Sequence, residues 1–182
     1  MLEIANTLVM VIDIQGKLAR IADKKESFYK AVQCVIGVAG VLEIPIIWTE
    51  QNPEGMGPTI PEIAERLKGL KPISKFSFSC GLEPKITQAI KGLHRKQILL
   101  TGIESHVCVY QTSIDLLAEG YEVQVVADAI SARNALFREI GYERMKQSGA
   151  RLSCTEMAVF ELMRTAQHPK FKKVLEVVKQ YS

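Results

Sequence analysis

An aspartate closes one apolar run at Asp13, a lysine closes a shorter one at Lys75, and a cysteine, Cys108, follows the segment Thr101-Gly-Ile-Glu-Ser-His-Val. A carboxylate, an ammonium and a thiol are the parts of a nucleophilic site. The acid takes the thiol proton and returns it to a leaving group, the ammonium favours the sulfur anion, and the sulfur attacks. If Ser105 caps the helix that follows, Cys108 falls in its first turn, where unpaired amides and the positive end of the helix dipole favour a thiolate. The same amides suit an oxyanion. Each residue also has a plainer reading. Cys108, between Val107 and Val109, fits a small buried hydrophobe, Asp13 a helix-capping acid and Lys75 a structural ion-pair partner.

The elements that must position these groups are legible from periodicity. Residues 7–14 are apolar and β-branched until the acid, the pattern of a parallel strand covered on both faces, which puts Asp13 at its carboxyl end. Further strands are predicted at 45–49, 72–75, 97–101, 123–127 and 150–153. Helices are predicted at 25–43, 60–68, 82–92, 106–119, 135–148, 155–166 and 169–180, from apolar spacings of three and four. Two glycines and two prolines in 50–59 predict a long loop. Strands alternating with helices predict one domain over residues 1–182, α/β in class, in three layers with a mostly parallel six-stranded sheet. In such sheets ligands bind beyond the carboxyl ends of the strands, where the order reverses. Asp13 and Gln15, Glu50, Lys75, the 102–108 segment and Asp128 all fall at that edge.

Composition excludes several classes. Of 182 residues 47% are apolar and 24% charged, and the formal charge of +3 comes from basic residues spread along the chain, so neither nucleic acid nor a membrane is predicted as a partner. The apolar start lacks a basic leader and runs into Asp13 without a small-residue cleavage site, which reads as a buried strand in a cytoplasmic protein. Cys34, Cys80, Cys108 and Cys154 show no C-x-x-C spacing, which fits a reducing compartment. Cys34 and Cys154 read as packing residues, and Cys80 stands close to Lys75 in sequence. His94, His106 and His168 are isolated, with no metal-ligand spacing, so no metal and no cofactor is predicted.

Three segments together resemble the signatures of the isochorismatase-like cysteine hydrolases: Asp13-Ile-Gln15, Lys75-Phe-Ser-Phe-Ser, and Thr101 through Val109. The stretches 49–59, 127–133 and 145–150 are similar to the subgroup of isochorismatase domain-containing proteins. The resemblance implies a six-stranded parallel sheet and a triad in which Asp13 is acid and base, Lys75 stabilises charge and Cys108 forms a thioester. It also implies a cis peptide between Ile103 and Glu104, with the backbone amides of Glu104 and Cys108 as an oxyanion hole. Gln15, Glu50, Phe76 and Phe78 are then candidates to line a small-molecule pocket, and a homo-oligomer is implied. Two departures matter. Glu50-Gln51-Asn52 stands where the nicotinamidase branch has an Asp-x-His metal motif, and Cys108 is absent from enzymes that cleave isochorismate.

The reading is therefore a metal-independent hydrolase of a small amide, ureide or related C–N bond. Its rivals are a catalytically retired binding or scaffolding module on the same fold, and thiol redox chemistry pairing Cys108 with Cys80.

Overall fold

The structure is a computed structural model describing residues 1–181. Six strands, β1 (Thr7–Ile12), β2 (Ile46–Gln51), β3 (Ile73–Lys75), β4 (Gln97–Ile103), β5 (Glu122–Ser131) and β6 (Arg151–Ser153), form one sheet in the order β3-β2-β1-β4-β5-β6. Every pairing is parallel. Between them run α1 (Gly16–Arg20), α2 (Lys25–Leu42), α3 (Pro53–Met56), α4 (Pro61–Ala64), α5 (Pro84–Gly92), α6 (Tyr110–Ala118), α7 (Ala135–Gln147), α8 (Thr155–Met163) and α9 (Phe171–Tyr181).

The unbroken apolar sequence of β1 follows from burial on both faces. Val9 and Val11 join a core with α2, α8 and α9, while Leu8, Met10 and Ile12 join a second core with α5 and α6. Alternation at period two therefore feeds two layers rather than one layer and solvent. At roughly 1.5 to 3 kcal/mol per buried aliphatic side chain, these cores are the main force holding the strand ends in register.

The chain winds outward from β1 through β2 to β3, returns to the centre at β4, and winds the other way to β6. The order thus reverses between β1 and β4, and the crevice beyond their carboxyl ends is where connections diverge. Gly102 sits at this seam with φ +123°, and a Cβ there would lie 2.1 Å from the Ile12 carbonyl oxygen. Only glycine permits that approach.

Several boundaries differ from the periodicity. β1 ends at Ile12 because Asp13 turns to a left-handed φ of 52°, the short helix α3 forms within the predicted loop, and α1 is an element the periodicity did not predict. β2 runs on to Gln51. β5 continues to Ser131 although Asp128 resembles a strand end: residues 126–129 of β5 pass the single Thr101 of β4 between Leu100 and Gly102, after which Ile130 and Ser131 pair again. Asp128 is exposed on that bulge. No helix among the described residues is long and apolar enough to cross a membrane.

Candidate active site

Asp13 leaves β1 in the left-handed conformation, which aspartate tolerates better than most residues, and its carboxylate meets Thr49 and Lys75. Its backbone N–H donates to the Thr49 carbonyl at 3.2 Å, and Oδ1 accepts from the Thr49 hydroxyl at 2.8 Å. Lys75, the last residue of β3, reaches across β2 and puts Nζ 2.7 Å from Asp13 Oδ2. Both side chains are sealed from solvent, at 0% and 1% exposure. The contact is an ion pair rather than a directional hydrogen bond, since Oδ2 has no hydrogen-bond partner. The three ammonium hydrogens go elsewhere, to Gln51 Oε1 at 2.8 Å and to the Ser77 and Phe78 carbonyls at 3.0 Å each. A lysine has three donors, so Lys75 is a fixed charge with no N–H left for a ligand.

Cys108 reaches the same point from the other side of the crevice. It lies in a π turn, Ser105–Val109, that precedes α6. The Val107 and Val109 amides, on either side of it, both donate to the Glu104 carbonyl, at 3.0 and 3.2 Å. The turn is braced by α7, where Gly141 packs so closely that a Cβ would sit 2.8 Å from the Ser105 carbonyl carbon. Cys108 is 8% exposed. Burial above all, then the Asp13 charge and its hydrogen bond to the thiol, push the Cys108 thiol far up, and Lys75 offsets this only in part.

That overturns one expectation. Ser105 does not cap the turn, its hydroxyl having no partner, and the surroundings of the sulfur favour the thiol over the thiolate.

The other predicted residues fall into two groups. Gln15 is fully buried, with Nε2 donating to the Gln51 and Gly57 carbonyls at 3.1 and 2.7 Å and Oε1 accepting from the Gln51 amide at 2.6 Å. Glu50 accepts from the Thr59 amide at 2.6 Å. Both tie the 52–60 segment to the sheet. Phe76 and Phe78, by contrast, are 77% and 54% exposed on the segment whose carbonyls hold Lys75 and Gln51. The Ile103–Glu104 peptide is cis, and Glu104 Oε1 accepts from the Arg133 amide at 3.1 Å.

Two residues with direct contacts to the acid and the lysine were missed in the sequence, Thr49 and Gln51. Their one signal was position, at and beside the carboxyl end of β2. Cys80 lies closer to the site than its sequence showed. Its thiol is fully buried 4.0 Å from the Thr49 hydroxyl, and burial, reinforced by Asp13 and opposed by Lys75, pushes it up to about 11. Among the described residues no cluster of three histidines, cysteines or carboxylates is placed to hold a metal ion.

A three-layer α/β fold with such a site at its switch point defines a class, and sequence comparison specifies the family. The isochorismatase domain model matches residues 7–157, so the chain belongs to the isochorismatase family, whose fold is that of a hydrolase. It is 36% identical over 176 residues to isochorismatase domain-containing protein 2A of Mus musculus, covering 96% of this chain and 84% of that one. The structure described as a MAR1 ribonuclease from Caenorhabditis elegans superposes with a TM-score of 0.92 at 36% identity, over 98% of this chain and 92% of the other. YcaC from Pseudomonas aeruginosa, determined with hexane-2,5-diol and covalent acrylamide, gives 0.91 at 25% identity, over 99% and 93%.

Proposed function

We propose that the chain is a metal-independent cysteine hydrolase that opens a small amide, ureide or related C–N bond through a thioester. The observation carrying this is the meeting of Asp13, Lys75 and Cys108 at one point, with the ion pair at 2.7 Å and the thiol against the same carboxylate. With burial and the Asp13 charge favouring the protonated thiol, Asp13 acts first. It takes the thiol proton as the sulfur adds to the carbonyl carbon, and Oδ2 is the acceptor assigned here. The Lys75 charge steadies the pair while that proton moves, without touching substrate.

The tetrahedral oxyanion is assigned to the backbone amides of Glu104 and Cys108. The Val107 and Val109 amides on either side of Cys108 are held by the Glu104 carbonyl, which supports the assignment. Asp13 then gives its proton to the leaving nitrogen, the C–N bond breaks and the amine departs. In the second half Asp13 takes a proton from water, the resulting hydroxide adds to the thioester, and collapse expels sulfur, which recovers the proton. One water is consumed, and an acid and an amine leave. Phe76 and Phe78 are assigned to the pocket mouth, and Gln15 and Glu50 to its frame. Self-association belongs to the same reading, supported by Leu136, Phe137 and Ile140 exposed together on α7. Light scattering measures it.

Treatment with acrylamide followed by intact-mass and peptide mass spectrometry tests the site. Cys108 is expected to label first, more slowly in Asp13→Asn and not at all in Cys108→Ala. A screen of amides and ureides follows, with an RNA oligonucleotide included because of the C. elegans relative's description. Labelling confined to other thiols, or turnover that survives Cys108→Ala, sinks the proposal.

A further inference from the structure

We propose that Thr49 is the positioning residue of the catalytic base: its hydroxyl, backed by the Cys80 thiol, holds Oδ1 of Asp13 and so fixes the plane of the carboxylate that meets Lys75 through Oδ2 and lies beside Cys108. This rests on the hydrolase reading above and goes one step behind it. A carboxylate is symmetric, and a base that must take a proton at one oxygen and return it needs the other oxygen held. Lys75 does not do this, because its three N–H groups are engaged by Gln51, Ser77 and Phe78, and a spherical charge sets no direction. The Thr49 hydroxyl does, at 2.8 Å from Oδ1.

The direction of that hydroxyl is itself set. Thr49 is fully buried in β2, with its backbone between Ile12 of β1 and Ile73 of β3. Its carbonyl accepts from the Asp13 N–H, so backbone and side chain grip the same residue. Behind it the Cys80 sulfur stands 4.0 Å from the Thr49 oxygen as a donor. With Cys80 donating to Thr49 and Thr49 donating to Asp13 Oδ1, the two bonds run in one direction toward the acid, and burial favours the protonated thiol that this needs. Cys80 is anchored in turn by its amide, which donates at 2.9 Å to the Thr112 hydroxyl of α6. Cys80, Thr49 and Asp13 thus form a chain of donors that ends on the acid. This gives Cys80 a role that needs no disulfide.

The charged and titratable groups facing Asp13 are Lys75 from β3, Cys108 from the π turn and Cys80 from the turn Cys80–Leu82. A change in pH dependence on altering Thr49, which does not titrate, is therefore transmitted through Asp13. The test compares Thr49→Val, which keeps the shape and removes the hydroxyl, with Thr49→Ser, which restores it. The readout is the second-order rate of Cys108 alkylation by acrylamide between pH 5 and 9, in the full-length protein.

Thr49→Val is expected to alkylate about tenfold more slowly at neutral pH, the effect of one hydrogen bond to a charged group. Its acid limb is expected to move up by about one pH unit. Thr49→Ser is expected within about threefold of wild type. Cys80→Ala, which removes the backing donor without touching Asp13, shifts the limb the same way by less, and decides the question should Thr49→Val not fold. A profile unchanged in Thr49→Val, or a loss that serine does not rescue, overturns the role of Thr49. If wild-type Cys108 itself fails to alkylate, the hydrolase reading falls instead.

Discussion

Replacing Lys75 by methionine keeps the stem and removes the charge, and it isolates what the buried ion pair contributes. The pair is deep, with side-chain exposures of 0% and 1%, so water cannot solvate the Asp13 carboxylate once the ammonium is gone. Removing one member of a buried pair destabilises by about 3 to 5 kcal/mol, because an uncompensated charge stays behind. Here three acceptors, Gln51 Oε1 and the Ser77 and Phe78 carbonyls, lose their donor at the same time, which places the change at the upper end of that range. For a chain of this length each kcal/mol moves the melting temperature by about 2 to 4 °C, so Lys75→Met is expected to melt about 10 to 20 °C lower. The double variant Asp13→Leu with Lys75→Met removes the stranded charge and is expected to recover part of the loss despite carrying two substitutions. Urea titration by far-UV circular dichroism gives both free energies, and the cycle gives the coupling. A loss below about 1 kcal/mol in Lys75→Met, or a double variant less stable than the sum of the singles, refutes the reasoning that a desolvated charge pair organises this edge of the sheet.

Gly102→Ala is expected to abolish soluble expression or lower the melting point by more than 10 °C, because the new methyl group meets the Ile12 carbonyl 2.1 Å away at a φ of +123°. A melting curve like wild type shows that the β1–β4 seam is looser than this contact. Cys34 and Cys80 are both pushed up to about 11 from an ordinary 9.0, burial being the first cause in each. The folded chain then holds these protons more tightly than the unfolded chain. Their contribution to stability is complete below pH 9 and is lost as pH rises from 9 toward 11. Urea midpoints flat from pH 7 to 9 and falling at pH 10 are the expected pattern, and a midpoint that rises above pH 9 contradicts it. At pH 8 both thiols should stay unlabelled by iodoacetamide in the folded protein and react once it is unfolded.

What could be read in the sequence depended on how local the signal was. A continuous apolar run declared β1, apolar spacing of three and four declared α2, and alternation of strands with helices declared a mostly parallel sheet, because each pattern is written within neighbouring residues. Strand-end logic also put Asp13, Lys75 and Cys108 at one edge. It failed where a boundary depends on a distant partner. The bulge that carries β5 past Asp128 exists because β4 resumes pairing at Ile130, and no periodicity within 122–131 records that.

The electrostatic state of the site was decided by tertiary structure alone. Residue types announced a thiol, an ammonium and a carboxylate, and a helix N-terminus argued for a thiolate. Packing reversed that argument: desolvation and the facing carboxylate outweigh Lys75, and the turn is π rather than a capped α-helix. Gln15 and Glu50 illustrate the same division. As polar residues at strand ends they looked available to a ligand, yet the folded chain uses their side chains on backbone amides and carbonyls of the 52–60 segment. Sequence determines which groups reach the switch point, because periodicity and burial are properties of short segments. Which of those groups remain free is a property of the neighbours that folding brings together, from Thr59 nine residues past Glu50 to Gln51 thirty-six residues past Gln15.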